Sequence, residues 1–418
     1  MGSMAKYSAG QVFYYPAFHA DLHGEKFRNE LSHCLTRETG WEAVMRVRCT
    51  TGMRLSNFYG NSFMRGTDLL ALPNVNEDST FAIEMVHSDS ILNASIVCVQ
   101  AALLYTTSCG ERRIRVHTMA APVTKLYAEI FRSVDCDALC NLIAKNALET
   151  ALKSGLDAAR MKFQNVCVEV VRAYRNSGAY GMQQQGQYQI NLPESLQLLP
   201  LYAMALMKNP AFRGGTDVRS DERTFTMYEL NNMPVSTSRA FIYPRLFALH
   251  TMPPNCGLPV PEAQAEAEDV MTAGPDKIRI PPVINLSVER LSSDGIFLLE
   301  DSLKLYMWIG RATAPAILSS LLGVNSLEGV DCARLRLQDP KDDLSRRVQN
   351  IIQAIRDERR PYMDVQIFCE GDPAEVRLFW KLVEDRASFN GGSYSYSEFL
   401  GHMNRQSHGG VGGGGQSR

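Results

Sequence analysis

The sequence predicts a multidomain α+β protein, with a β-sandwich first, an all-helical domain second and a smaller α+β domain third. Residues 11–121 carry short strands of alternating polar and apolar positions, at the spacing of a sandwich. Residues 122–250 carry long segments with helical periodicity. Residues 282–404 follow a strand–strand–helix–helix–strand order, which is typical of helices packed on an antiparallel or mixed sheet.

The clearest strand of the predicted sandwich covers residues 44–50. Its alternation places Val44, Arg46 and Arg48 on one face and apolar side chains on the other. Further strands are predicted at 53–58, 80–86, 95–105 and 111–119, behind a short amphipathic helix at 20–36. Together these elements predict a sandwich with one arginine-bearing strand.

For two of these strands, the side chains also predict a place in the sheet. Residues 95–105 are apolar on both faces, which predicts a central and buried strand. Residues 111–119 predict its hairpin partner, in which Arg113, Arg115 and His117 form a basic outer face.

The helical region is predicted to contain two long helices, at 136–153 and 156–174, separated by Gly155. Residues 195–208 are apolar nearly all round, which predicts a buried helix with a kink at Pro200. Shorter helices are predicted at 124–134, 221–232 and 237–247. The stretch 178–188 is rich in Gln and Gly and predicts a mobile loop.

The third domain follows the segment 251–281, whose Pro, Ala and Glu content predicts a linker. Two apolar strands are predicted at 295–299 and 303–309, joined by an acidic turn at Glu300-Asp301. The remaining elements are predicted helices at 314–322, 344–356, 374–385 and 396–403, and a strand at 363–370. The Gly-rich end, 405–418, predicts a disordered tail.

Composition argues against several classes of protein. The formal net charge is −2, from 43 Lys and Arg against 45 Asp and Glu, so no global attraction to nucleic acid is predicted. No apolar run is long enough to span a bilayer, and the start lacks the h-region of a signal peptide. The usual nucleotide-binding, hydrolase and metalloprotease motifs are absent, so neither enzyme activity nor a cofactor is predicted.

The ten cysteines are scattered and form no C-x-x-C pair, which predicts buried free thiols in a reducing compartment. Cys136 and Cys140 are four residues apart on a predicted helix, a spacing that places both thiols on one face. No second ligand pair stands at zinc-finger spacing, so no structural metal is expected.

Arg46 and Arg48 are the candidate binding residues that the pattern itself offers. Two residues along a strand rise about 6 to 7 Å, so the two guanidinium groups lie side by side. They form either a fixed pair of forks for a carboxylate or two solvated charges on an outward face. The alternation alone does not choose between these interpretations.

The most distinctive stretches are RVRCTTGMRLSNFYGNSFMRGTDLLAL, ERRIRVHT, LQLLPLYAMALMKNPAFRGG, and PVINLSVERL with LKLYMWIG. In this order they resemble the C-terminal half of the cargo-selecting subunits of the inner COPII vesicle coat, the larger of two related inner-coat paralogues. The resemblance covers residues 11–403. It implies that the third domain is gelsolin-like.

The resemblance also implies a function and a location. Proteins of this family bind export signals of membrane proteins and SNAREs at the endoplasmic reticulum, and pack them into vesicles bound for the Golgi. The implied partners are the GTPase-activating inner-coat paralogue, a Sar-type small GTPase and the outer coat. The chain is therefore expected to be cytoplasmic and peripheral on the endoplasmic reticulum membrane and on COPII vesicles.

Four residues match binding positions of the family. Arg46 and Arg48 match the arginines of a site for acidic-hydrophobic signals, and Leu104 matches a leucine on its neighbouring strand. Trp380 matches a tryptophan of a second site, for Asn-Pro-Phe-type signals. Without the resemblance, a core aromatic on an amphipathic helix is the better interpretation of Trp380.

In the family a zinc finger and a trunk domain precede this region, early strands complete the sandwich, and further basic residues of the first site belong to that preceding part. None of these is found in this sequence, so the sandwich at 11–121 is expected to be incomplete at its N-terminus. The alternative function is an actin- or membrane-associated scaffold built on a gelsolin-like domain.

Overall fold

The computed structural model describes residues 2–88, 94–177, 192–264, 266–359, 362–387 and 394–408. The predicted mobile loop at 178–188 lies outside the described residues, as do residues 409–418 of the predicted tail. The first four residues of that tail, 405–408, are helical, because the last helix continues to His408.

The N-terminal region forms two antiparallel sheets. Strands β3, β4, β1, β6 and β7 form a five-stranded sheet in that order, and β2 pairs with β5. Met45, Val47 and Leu70 of the larger sheet share a small core with Leu55 and Phe58 of the smaller one. The elements are α1 (Gly2–Ser8), α2 (Ala20–Thr36), β1 (Thr39–Cys49), β2 (Met53–Tyr59), β3 (Phe63–Met64), β4 (Leu69–Asn76), β5 (Ala82–His87), β6 (Ile96–Thr107) and β7 (Arg112–Pro122).

Strands β6 and β7 depart from their predicted environments. Strand β6 has neighbours on both sides, but Val97 is its only buried residue. Every residue of β7 is exposed, and β7 is the outermost strand of the described sheet. The apolar composition of β6 therefore predicted its interior position and not its degree of burial.

The basic face of β7 also points the other way from the prediction. Arg115 lies opposite Leu103, on the side of the sheet that faces the second sheet, whereas Val116 lies opposite Ala102 on the outer side. Alternation fixes which residues share a face, but it does not fix which face turns inward. The predicted basic outer face is thus wrong.

The middle region is helical, with α3 (Tyr127–Arg132), α4 (Cys136–Ser154), α5 (Leu156–Asn176), α6 (Leu199–Lys208), α7 (Ser220–Asn232) and α8 (Val235–Ile242). All ten residues of α6 are buried. The predicted kink at Pro200 is wrong, because α6 begins at Leu199 and Pro200 occupies its first turn. In that turn the missing N–H of proline costs no intrahelical hydrogen bond.

The third region is a five-stranded mixed sheet in the order β11, β8, β12, β13 and β14, in which β13 and β14 are parallel. Its strands are β8 (Arg245–Ala248), β11 (Val283–Ile284), β12 (Ile296–Glu300), β13 (Lys304–Ile309) and β14 (Asp364–Cys369). Its helices are α9 (Pro315–Leu322), α10 (Asp343–Glu358), α11 (Val376–Phe379) and α12 (Tyr396–His408). Leu298 and Met307 pack with α9 and α10 in one core, which covers one face of the sheet.

The opposite face of this sheet packs against the helical region. Phe297 and Tyr306 belong to the same continuous core as Phe163 of α5 and Phe212, which follows α6. The helical region and the third region therefore share one hydrophobic core, which we call the shared core.

Two predictions at the junction of these regions are wrong. The predicted helix at 237–247 ends at Ile242, and Arg245–Ala248 is a strand of the third sheet, paired with β12. The predicted linker at 251–281 contains a hairpin of β9 (Val270–Ala273) and β10 (Asp276–Arg279), with Ile278 buried. Composition hid this hairpin, because β10 (DKIR) contains a single apolar residue, Ile278, and β9 (VMTA) is only four residues long.

The prediction of free thiols fails for one pair. Cys332 and Cys369 form a disulfide across 37 residues of sequence. A short 3₁₀ turn at Cys332–Arg334 lies beside β14, which ends at Cys369, so the pair is close only in the folded chain. The eight other cysteines are free.

Candidate functional site

The outer face of the larger N-terminal sheet carries three of the four predicted binding residues. In the register of β1 and β6, Val44 lies opposite Leu104, and Arg46 is two residues further along β1. Residues directly opposite each other across a ladder share a face. Leu104, Arg46 and Arg48 are therefore neighbours on one side of the sheet, and both arginines are exposed.

An apolar row extends this face beyond the predicted residues. Ile114 of β7 lies opposite Leu104, and Val116 lies opposite Ala102. The side chains are open to solvent, since Ile114 is 70% exposed and Val116 is 51% exposed. These exposed β-branched residues form an apolar wall on the same side of the sheet as the two arginines, with β6 between the two rows. The alternation of residues 111–119 contained this row, but only the register placed it on the same side of the sheet as Arg46.

An acidic neighbour distinguishes the two arginines. Arg46 Nε lies 3.2 Å from Asp68 Oδ2, and both side chains are about two-fifths exposed. Arg48 forms no ion pair with any residue that the structure describes. The face thus offers one free guanidinium fork and one that is shared with Asp68, which sequence reasoning missed.

This side of the sheet, which we call the sheet face, combines charged and apolar residues: Arg46, Arg48, Leu104, Ile114 and Val116. A carboxylate can accept charge-assisted hydrogen bonds from the arginines while a neighbouring apolar side chain packs on Leu104 and Val116. Ion pairs that are this exposed contribute little to folding, so Arg48 without an ion pair and Arg46 beside Asp68 are both inexpensive to keep on the surface.

Trp380 lies outside this face, in a cleft of about 870 Å³ lined by α2 and the segment before it, the helical region and the third sheet. Arg46, Arg48 and Leu104 are not among the residues that line the cleft. The helix predicted at 374–385 shortens to α11, which ends at Phe379. Leu378 and Phe379 belong to the shared core, whereas Trp380 is only half-buried and faces the cleft. The core interpretation of Trp380 is therefore disfavoured.

Residues of the helical region contact Trp380 and the segment that follows it in the cleft wall. The Arg213 guanidinium lies over the Trp380 ring, 4.7 Å from its centroid, within the range of a cation–π contact. The buried Lys208 Nζ donates 2.6 Å hydrogen bonds to the carbonyls of Val383 and Asp385, just after Trp380. Burial lowers the pKa of Lys208 from 10.5 to about 8.

A half-buried carboxyl lines another part of the same cleft. Burial raises the pKa of Glu229, on α7, from 4.5 to about 8, while the Lys26 ammonium opposes this shift and Glu30 adds to it. The cleft therefore contains an acid that holds its proton near neutral pH. Nothing in the sequence around Glu229 indicated this environment.

One cluster of side chains has the composition of a metal site. Among the described residues, one group of His33, Glu77 and Asp78 has potential ligand atoms within 4.8 Å of one another. Asp78 already accepts from His33 at 2.7 Å and from Arg37 at 2.8 Å. A guanidinium at that position repels a cation, so ion pairing explains the cluster.

The two cysteines noted on the predicted helix do share a face of α4. Cys140 is buried, and its thiol donates a hydrogen bond to the sulfur of Cys136, which lowers the pKa of Cys136. No third ligand completes a metal site with them among the described residues.

In the part of the chain that the structure describes, no helix combines the length and the apolar character needed to cross a bilayer.

Comparison with known families assigns each region. Residues 40–124 match the Sec23/Sec24 beta-sandwich domain, residues 135–240 match the Sec23/Sec24 helical domain, and residues 277–352 match the gelsolin repeat. These matches confirm the fold class predicted from the sequence, including the gelsolin-like third domain.

Individual relatives match nearly the whole chain. Protein transport protein Sec24A of Bos taurus is 36% identical over 409 residues, which is 97% of this chain and 35% of the relative. Protein transport protein SEC24 A of Arabidopsis thaliana is 36% identical over 412 residues, 97% of this chain and 38% of the relative. The chain thus spans little more than a third of the length of these curated relatives.

A solved structure shows the same fold. The crystal structure of the human COPII-coat protein Sec24c superposes with a TM-score of 0.85 at 29% sequence identity, covering 96% of this chain and 50% of that chain. With three matching domains and Sec24 relatives along 97% of its length, this chain belongs to the Sec24 family.

Proposed function

We propose that this chain is a COPII cargo adaptor, which binds export signals of membrane proteins for packaging into vesicles that travel from the endoplasmic reticulum to the Golgi. Family membership supports this function, since the relatives are named as transport proteins and the solved structure as a COPII-coat protein. The chain covers only part of those relatives, so their activity as whole proteins is transferred here as a proposal.

One observation carries the proposal. Arg46, Arg48 and Leu104 share an exposed face, and Ile114 and Val116 extend its apolar part. An acidic-hydrophobic export signal needs a cationic fork and an apolar wall next to each other, and this face provides both. The arginines of this face are not needed as partners for a buried charge, so they can serve a ligand.

Trp380 supports a second signal site. A half-buried tryptophan in a cleft offers a large apolar surface, and such residues dominate the binding energy of many interfaces. We assign Asn-Pro-Phe-type signals to this cleft, which we call the Trp380 cleft. The Arg213 guanidinium lies over the ring, and Trp380 is among the residues that line the cleft.

The partners follow from the same assignment. They are the GTPase-activating inner-coat paralogue, a Sar-type small GTPase, the outer coat, and the cytoplasmic export signals of membrane cargo and SNAREs. The chain would act in the cytoplasm, peripherally on the endoplasmic reticulum membrane and on COPII vesicles, with no catalytic role and no cofactor. Family membership does not favour the actin- or membrane-associated scaffold, because the gelsolin-like region accompanies both Sec23/Sec24 domains.

The sheet face is tested by titrating the purified chain against a fluorescent acidic-hydrophobic signal peptide. Arg46→Ala/Arg48→Ala should weaken binding at least tenfold, because each charge-assisted hydrogen bond contributes about 1.5 to 3 kcal/mol and about 1.4 kcal/mol is a factor of ten. Lys at both positions should restore only part of the affinity, since a point charge does not reproduce the bidentate fork.

The matched control is Arg113→Ala/Arg115→Ala, which removes the same charge from the opposite side of the same sheet. It should leave affinity within about twofold of wild type. Equal affinity of wild type and Arg46→Ala/Arg48→Ala would contradict the assignment of this face. Co-sedimentation with actin filaments would instead support the scaffold alternative.

A further inference from the structure

The Trp380 cleft has an unbalanced set of charges at the end where Trp380 lies. Lys304, the first residue of β13, and Arg377, on α11, both line this cleft. Neither forms an ion pair within the part of the chain that the structure describes. Lys304 is half-buried and Arg377 is exposed, so both remain open to a ligand.

The neighbouring charges are already paired. Lys381 Nζ lies 2.7 Å from Asp301 Oδ2, and Arg213 Nε donates to Asp217 Oδ2 at 2.6 Å. Glu222 also lines the cleft and attracts Lys304, so Asp301 and Glu222 stand against Lys304, Arg377 and Lys381. The local balance is therefore positive.

Helix geometry places these cations beside the aromatic ring. Arg377 precedes Trp380 by three residues and Lys381 by four, a spacing that puts all three on one side of a helical turn. Lys304 feels both of these cations, as well as the attraction of Asp301 and Glu222. Burial is the main cause of the lowered pKa of Lys304, and the two like charges add to it. A bound anion would offset both the repulsion between these cations and the desolvation penalty of the Lys304 ammonium.

We infer that Lys304 and Arg377 form a subsite for a carboxylate, so that the Trp380 cleft selects signals with an acidic residue next to the aromatic anchor. The inference rests on the proposed signal-binding function of this cleft and specifies which signals it prefers. The apolar ring takes the aromatic side chain, and the two cations take the acid. The carboxylate comes either from an Asp or Glu side chain or from a free C-terminus.

The experiment measures affinity for three versions of one fluorescent Asn-Pro-Phe peptide. The first has Asp after the Phe and an amidated C-terminus, the second has Asn at that place with the same amide, and the third has Asn with a free C-terminal carboxylate. Wild type should bind the Asp version about tenfold more tightly than the Asn amide. Tighter binding of the free-acid version alone would assign the subsite to a C-terminus.

The variant Lys304→Gln/Arg377→Gln should bind the acidic and neutral versions within about twofold of each other, while keeping its affinity for the neutral peptide. The matched control is Lys341→Gln/Arg346→Gln, an equal loss of charge on exposed residues of the same region that do not line the cleft. It should retain the tenfold preference. If the double variant does not fold, Arg377→Gln alone, at an exposed position, should reduce the preference by at least threefold.

Two results would overturn the inference while leaving the proposed function intact. One is equal binding of acidic and neutral peptides to wild type, and the other is an unchanged preference in Lys304→Gln/Arg377→Gln. No binding of any version to wild type would remove the signal site itself, and this inference with it. Added salt should shrink the acid preference of wild type and leave the neutral peptide largely unaffected.

Discussion

The sheet face and the Trp380 cleft present ligand-binding groups in opposite ways. On the sheet face, Arg46 and Arg48 are exposed beside the half-buried Leu104, and their positions depend on the pairing of β1 with β6. The cleft instead takes its walls from α2, the helical region and the third sheet. The sheet face therefore depends on one strand pairing, whereas the cleft depends on how the regions pack together.

Trp380→Ala gives the largest expected effect and tests whether the two sites are independent. It should weaken binding of an Asn-Pro-Phe-type peptide roughly thirtyfold, the loss typical of removing an interface hot spot of about 2 kcal/mol. Binding of an acidic-hydrophobic peptide should not change. Fluorescence anisotropy with both peptides makes this measurement, and Arg46→Ala/Arg48→Ala serves as the reciprocal control.

The stability of Trp380→Ala sharpens the same test. Because Trp380 is half-buried and lies outside the shared core, its truncation should cost less than the roughly 3 to 5 kcal/mol of a buried tryptophan. A larger loss in urea denaturation would show that the ring packs the core, and would weaken its assignment as a ligand residue.

Glu229→Gln tests whether the cleft differs electrostatically from an open surface. Because the pKa of Glu229 is about 8 in the folded chain and 4.5 in the ordinary reference state, the folded chain holds a proton that the unfolded chain has lost between these values. Its favourable contribution is present below pH 4.5 and is lost as the pH rises to 8. As the pH rises between these values, the unfolding free energy of wild type should fall by up to about 1.4 kcal/mol per pH unit more than that of Glu229→Gln.

Urea denaturation from pH 5 to 8 checks this difference, and the full slope is an upper limit because solvent reaches part of the cleft. Glu222→Gln, at another residue that lines the cleft, is the matched control. Parallel slopes for wild type and Glu229→Gln would show that the carboxyl is not buried as described.

Asp68→Asn gives the smallest expected effect and concerns the sheet face. Removing the carboxylate that shares Arg46 should strengthen binding of an acidic peptide by at most about fivefold, since exposed ion pairs contribute about 0.2 to 1 kcal/mol. Glu111→Gln, which removes the partner of Arg113 on the other side of the sheet, should have no effect. Weaker binding to Asp68→Asn would show that Asp68 positions Arg46 for the ligand.

The difference between the two sites also explains what the sequence could predict. Alternation placed Arg46 and Arg48 on one face, because the period of a strand is a local property. Most helices and strands were predicted for the same reason. The partner of a charge is not local, so neither Asp68 at Arg46 nor Arg213 over Trp380 could be identified.

Long-range packing accounts for the remaining errors. The disulfide of Cys332 and Cys369 joins segments 37 residues apart, and the strand Arg245–Ala248 is defined by its pairing with β12. Burial of Glu229 likewise depends on α2 and α7 meeting across the cleft. Each of these features requires two distant segments, and no window of sequence contains both.

The shared core has a consequence for how the molecule unfolds. Phe163 and Phe212 contribute to the same buried cluster as Phe297 and Tyr306, so separating the helical region from the third sheet exposes apolar surface on both. Lys208 would also lose both of its carbonyl partners. The two regions therefore form one cooperative folding unit, although the sequence predicts two domains. A ligand in the Trp380 cleft stabilises that whole unit by mass action.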